Sequence, residues 1–149
     1  MGCDIHICAE KKVGGSWKLL PNQDWGLENR CYGTFGFLAD VRNYSAVVPI
    51  AAPRGLPTDA SESTTQAHDR WNVDAHSESW LSMEELKRFD YEQPTEDRRC
   101  TRDGNGGSTC EPGEGAAMTY REFLGPWFFL ALNQLTDAGA ERIVFWFDN

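Results

Sequence analysis

The sequence predicts an α+β fold. The expected architecture is a single domain, 1–149, with a small mixed sheet, an N-terminal hairpin, a C-terminal strand, two or three helices packed on the sheet and a long ordered loop. Three observations predict it. The chain opens on strict apolar–polar alternation, it closes on a nearly continuous apolar run rich in β-branched and aromatic residues, and capped stretches of helical periodicity lie between the two.

The opening residues place Cys3, Ile5, Ile7 and Ala9 on one side and Asp4, His6, Cys8 and Glu10 on the other, which is the period of a strand. Gly14-Gly15 then precedes Ser16-Trp17-Lys18-Leu19-Leu20, so a two-residue hairpin turn is expected. Tyr32, Phe35, Leu38 and Ala39 recur at helical spacing and predict a helix over 31–43, although Gly33 and Gly36 disfavour it. Residues 44–80 hold Pro49, Pro53 and Pro57 among Ser, Thr, Asp and Ala. They predict a long irregular loop, with Trp71 and Trp80 anchoring it to the core. Ser82-Met83-Glu84-Glu85 is a capping box opening a short helix to about Phe89, and Thr119-Tyr120-Arg121-Glu122 is a second. The second starts the main helix, which runs to about Asp137 with a kink or break at Pro126. Between these helices, 92–116 is rich in charge, Gly and Pro without periodicity, and is expected as a partly mobile surface insertion. The run Arg142 to Asn149 predicts a buried central strand beside the first one.

The chain has 149 residues and a net charge of −9. Such a charge repels polyanions, so bulk nucleic-acid binding and attachment to anionic membranes are not expected. A basic, apolar leader is lacking at the start, and no apolar stretch approaches the length of a membrane span, so a cytoplasmic protein is expected. The cysteines, Cys3, Cys8, Cys31, Cys100 and Cys110, are odd in number and form no Cys-x-x-Cys, which favours free thiols. Cys100 and Cys110 flank a Gly-rich stretch, where pairing is the alternative.

Three polar constellations stand out. Asp4-x-His6 sits on one side of a strand, so the carboxylate can orient the imidazole for proton transfer or share a divalent metal with it. Asp74-x-His76-Ser77 repeats the spacing, with His68-Asp69 nearby, and with Asp4 and His6 it offers a ligand set for a metal or a catalytic set of His6, Asp74 and His76. The plainer reading is a turn-capping Asp74 and a His76 packed on Trp80. The third constellation is Arg42-Asn43 with Arg54-Gly55-Leu56-Pro57, Asp59 and Ser61. Here a guanidinium can take a phosphate or carboxylate while Gly55 lets the backbone approach, against the plainer reading of a helix-end cation. Trp71 and Trp80 serve equally as core residues or as stacking platforms for a base or sugar.

The motifs Gly2-Cys3-Asp4-Ile5-His6, Arg42-Asn43, Arg54-Gly55-Leu56-Pro57-x-Asp59-x-Ser61, Asp74-x-His76-Ser77-x-Ser79-Trp80-Leu81 and Val144-Phe145-Trp146-Phe147-Asp148-Asn149 resemble a group of small proteins of tailed bacteriophages and prophages. The likeness spans most of the chain, and 92–116 lies outside it. It implies a bacterial host cytoplasm as the place of action and no particular activity.

Small phage accessory proteins often counter host defence, which by analogy gives three expectations. The leading one is a pocket for a small polar, nucleotide-like ligand, sequestering a host immune signal. In it, Arg42 and Arg54 hold phosphate or carboxylate, Asn43, Asp59, Asp74 and Ser77 fix hydroxyls and amines, and Trp71 or Trp80 stacks. The second is a metal-dependent hydrolase or phosphodiesterase built on Asp4, His6, Asp74 and His76. The third is an acidic inhibitor of a host defence protein.

Overall fold

A computed structural model describes residues 2–21, 24–100 and 107–149. It is an α+β structure with six strands in two antiparallel sheets and four helices. Its contacts fall into two compact units, interleaved in sequence. Unit one comprises 1–30, 53–88 and 129–149, and unit two 31–52 and 89–128.

Unit one is organised by a four-stranded antiparallel sheet. Strand β1 is Asp4–Val13, β2 is Ser16–Leu19, β3 is His76–Ser82 and β6 is Arg142–Asp148, in the spatial order β2-β1-β6-β3. The Gly14-Gly15 turn has positive φ at both residues, 59° and 82°, the conformation that a tight two-residue hairpin demands and glycine supplies without strain. The apolar run Arg142–Asp148 is a central strand as expected, with Ile143, Val144, Phe145 and Phe147 fully buried. It pairs with β1 so that Asp4 faces Asp148, His6 faces Trp146, Cys8 faces Val144 and Glu10 faces Arg142. Side chains on opposed residues share a face. One face therefore carries Ile5, Ile7 and Ala9 with Phe147, Phe145 and Ile143, while the other carries the polar residues of β1.

The segment 44–80, expected as a long irregular loop, contains a helix and most of strand β3. Helix α2, Glu62–Asp69, has the sequence ESTTQAHD, whose weak propensity and missing apolar stripe hid it. Ser61 caps it by accepting from Thr64 N at 3.1 Å. Glu10, wholly buried on β1, accepts from Ser61 N and Thr64 Oγ1, each at 2.8 Å. A carboxylate from the sheet thus holds the helix start, and tertiary contact overrides propensity. A 3-10 turn, Asn72–Asp74, leads into β3. Helix α3, Met83–Arg88, opens on the reciprocal box read from sequence: Ser82 N donates to Glu85 Oε2 at 2.8 Å and Glu85 N to Ser82 Oγ at 3.0 Å.

In unit two, helix α1 is Tyr32–Ala39 and stops at Asp40, which is left-handed at φ 59°. The helix is shorter than the expected 31–43. Asp40, Arg42 and Ala46 all have positive φ, a local strain that non-glycine residues adopt only where surrounding contacts impose it. The stretch 92–116, expected as a partly mobile surface insertion without periodicity, contains regular structure. Strand β4, Pro94–Asp97, lies within it and pairs antiparallel with β5, Ala116–Thr119. Four-residue strands far apart in sequence leave no periodic signature. The middle of the expected insertion, 101–106, lies outside the described residues. The second capping box is formed, with Thr119 N donating to Glu122 Oε2 at 2.9 Å. Helix α4, Tyr120–Asp137, breaks at Gly125, where φ is 76° and ψ 172°, so the break falls one residue before Pro126, as the restriction on a residue preceding proline requires. Among the described residues no helix is long and apolar enough to cross a membrane.

Candidate functional site

The polar face of the sheet in unit one gathers most of the chemistry-bearing residues, in two clusters with different character. Around Arg142 the groups satisfy one another. Arg142 Nε donates to Glu10 Oε1 at 2.7 Å and Nη1 to Asp59 Oδ1 at 3.0 Å. Its guanidinium lies 3.8 Å from the Trp17 ring centroid and 6.0 Å from that of Trp80, within cation–π range. Asp59 also accepts from Trp17 Nε1 at 3.1 Å, and Arg142 holds its carboxyl below the ordinary value. Arg54 stacks 4.7 Å from Trp80 and forms a two-pronged ion pair with Glu85, one contact measuring 2.9 Å. That pair drives the Glu85 carboxyl down to about 2. The backbone of Arg54 and Gly55 approaches β3 rather than a ligand: Arg54 N donates to Ser79 Oγ at 3.0 Å and Gly55 N to Glu78 O at 2.8 Å. Arg54, Asp59 and Trp80, expected to recognise a ligand, are therefore cross-links of the fold.

The second cluster surrounds Trp146. His6 Nε2 lies 2.7 Å from Asp148 Oδ2. An ionised carboxylate only accepts, so in a hydrogen bond to it Nε2 is the donor. The His6 ring lies 3.9 Å from Trp71 and 5.9 Å from Trp146, and about a quarter of the His6 side chain is exposed. From α2, His68 sets its ring edge-on to Trp146 at 5.2 Å, and its Nε2 donates to Glu78 Oε1 at 3.0 Å. Burial would raise the Glu78 carboxyl. The backbone amide of Glu78, the His68 hydrogen bond and the charges of His68 and His76 outweigh it and hold the group below its ordinary value. Trp146 Nε1 and His68 Nδ1 are buried with no hydrogen-bond partner among the described residues, and Asp69 Oδ1 lies 3.7 Å from His68 Nδ1. Beside this cluster, Arg30 makes two hydrogen bonds to Asp4, at 2.8 and 2.7 Å, and holds the Asp4 carboxyl below its ordinary value.

Asp4-x-His6 is thus on one face as expected, but Asp4 serves Arg30 and the partner of His6 is Asp148, across the strand pair. Asp74 is exposed at the end of the 3-10 turn and forms no side-chain hydrogen bond or ion pair among the described residues. His76 turns to Ser77, with Nδ1 3.0 Å from Ser77 Oγ, and stacks on Phe147 rather than Trp80. Ser77, at φ 53°, is where β3 bulges between His76 and Ser79, and this extra residue breaks the simple alternation. Among the described residues no group of three or more His, Cys, Asp and Glu is arranged to hold a metal ion, so the expected metal set of Asp4, His6, Asp74 and His76 is not gathered. Arg42 and Asn43 belong to unit two. Asn43 is a loop brace, donating from Nδ2 to Asp40 Oδ1 at 2.7 Å and to Val47 O at 2.8 Å, and accepting from Val47 N at 3.2 Å. Arg42 Nη1 donates to Tyr44 OH at 3.3 Å. Glu10, Arg142, Glu78 and Asp148 escaped sequence reasoning as site or network members. The one available signal was alternation, which puts Glu10 on the side of His6 and Asp148 on that of Trp146.

No family model, curated protein or solved structure matches the chain.

Proposed function

We propose that the cluster around Trp146 is a binding site for a small polar, nucleotide-like ligand, and that the protein acts in a bacterial host cytoplasm as a phage accessory protein sequestering such a molecule, with a host immune signal as the ligand class. One observation carries the reading: two carboxylate–imidazole pairs, His6–Asp148 and His68–Glu78, meet on a single indole. Each carboxylate orients one imidazole through a hydrogen bond at its Nε2, and oriented imidazoles suit recognition of a strongly polar group. Trp71 adds an aromatic wall of the kind on which a base stacks. Unlike the Arg142 cluster, this one contains buried nitrogens with no hydrogen-bond partner among the described residues, and such atoms call for a partner. The resemblance to phage and prophage proteins supplies the biological setting, and the ligand class follows by analogy with that setting.

The 2.7 Å contact between His6 and Asp148 favours a second reading, in which His6 is a general base and the protein hydrolyses the molecule it binds. Native mass spectrometry with a panel of mono-, di- and cyclic nucleotides tests both. Retention of a ligand with unchanged mass, weakened at least tenfold by His6→Ala and by Asp148→Asn, supports sequestration. A changed ligand mass that depends on His6 supports hydrolysis. Absence of any retained or converted member of the panel overturns both.

A further inference from the structure

Unit two contains a cavity of about 420 Å3 between residues 46–49 and β4, a volume in the range of small-ligand sites. Its aromatic wall is rigid. Phe89 and Tyr120 meet edge to face at 5.0 Å, and the Tyr120 hydroxyl donates to Val48 O at 2.9 Å. Pro49 and Pro94 add apolar surface that loses no entropy on binding. Arg98 also lines the cavity. Its Nε donates to Cys110 O at 2.8 Å and its backbone N to Ser45 O at 3.0 Å, so the side chain is anchored while neither terminal nitrogen bonds to a described residue.

No carboxylate among the described residues pairs with Arg98, whereas Arg54, Arg99, Arg121 and Arg142 each have one. In a chain with 23 acidic and 14 basic residues, a half-buried guanidinium without an acid is the exception. Glu96 lines the same cavity, but its Oε1 accepts from Gly113 N and Gly115 N, both at 2.8 Å. That carboxylate is committed to the loop. The side chains of Gln93 and Thr95, also at the cavity, hydrogen-bond to no described residue.

We propose that this cavity is a second binding site, for a small aromatic anion. The ring lies against Phe89 and Tyr120, and a carboxylate or phosphate takes the two terminal nitrogens of Arg98 side by side, the geometry that makes arginine selective for such groups. Gln93 and Thr95 supply the remaining polar contacts.

The test is an amide-resolved NMR titration of the full chain with benzoate, phenyl phosphate and the neutral benzyl alcohol. Saturable shifts confined to residues 46–49, 89–98 and 120 are expected for the two anions, which separate carboxylate from phosphate preference, with benzyl alcohol at least tenfold weaker. Arg98→Gln is expected to weaken the anions at least tenfold, and Arg98→Lys less than that. Equal binding of the neutral alcohol to the wild-type chain overturns the proposal without recourse to any variant. Undiminished anion binding by Arg98→Gln, or no saturable shift at these residues, overturns it equally.

Discussion

Replacing Arg142 by Met should be among the most costly single changes in unit one, and the structure says why. The Arg142 side chain is 5% exposed and Glu10 is 0% exposed. Glu10 Oε2 is satisfied by Ser61 N and Thr64 Oγ1, but Oε1 depends on Arg142. Met leaves a buried carboxylate with one oxygen unpaired, a situation that costs about 3–5 kcal/mol out of a total stability of ~5–15 kcal/mol. Glu10→Gln is milder, because Arg142 keeps Asp59, whose side chain is 63% exposed and solvated. The double variant Glu10→Gln/Arg142→Met buries no charge and should lose at least ~1 kcal/mol less than the sum of the singles. Urea unfolding followed by tryptophan fluorescence reads this as a midpoint shift; at a slope of about 1–3 kcal/mol per molar, Arg142→Met lowers the midpoint by about 1 M or more. Additive single effects, or a loss under ~1 kcal/mol for Arg142→Met, would refute the claim that buried charge dominates here.

Three further outcomes are expected. Gly125→Ala meets no atom within 4 Å but must hold φ at 76°, so it should destabilise by ~1–2 kcal/mol in a thermal melt, and a neutral result would show that the break is not held. The Glu85 carboxyl is lowered to about 2 in the fold from 4.5, so its contribution is fully present above the unfolded value and is lost as pH falls through the folded one; the stability gap between wild type and Arg54→Gln should therefore be flat above about pH 5 and close toward pH 2. Burial raises the Cys8 thiol to about 11, whereas Cys31 and Cys100 are exposed, so iodoacetamide at neutral pH should label Cys31 and Cys100 well before Cys8, as read by peptide mass.

Features set by neighbouring residues were legible in the sequence. The Gly14-Gly15 turn, both capping boxes and the alternation of β1 are encoded within a few positions, and each is formed. The apolar composition of Arg142–Asp148 announced a central strand. Helix α2 was not legible, because its start is stabilised by Glu10 from another part of the chain. The site shows the same division. Asp-x-His spacing suggested that each carboxylate serves the histidine two residues on, yet His6 takes Asp148, 142 positions away, and His76 turns to Ser77. Strand register and the bulge at Ser77 decide these partners, and neither is a local property. The same cause explains Arg54 and Asp59. Their residue types suit anion and hydroxyl recognition, but only the fold reveals that Glu85 and Arg142 already occupy them.

Strand β6 is the partner of both β1 and β3, which do not pair with each other. During synthesis, β1 and β2 can close their hairpin early, but β3 and the apolar face of β1 have nothing to pair with until residues 142–148 emerge. The four-stranded sheet is therefore complete only once β6 is present, and pairing β6 with β1 closes the longest loop between its strands. Until then, Ile5, Ile7 and Leu81 are exposed on unpaired edges, the species most open to chaperones and to aggregation. Because His6 and Asp148 lie on β1 and β6, the proposed site comes into being only with that step, so a nascent or truncated chain lacking β6 has no competent form to titrate a ligand.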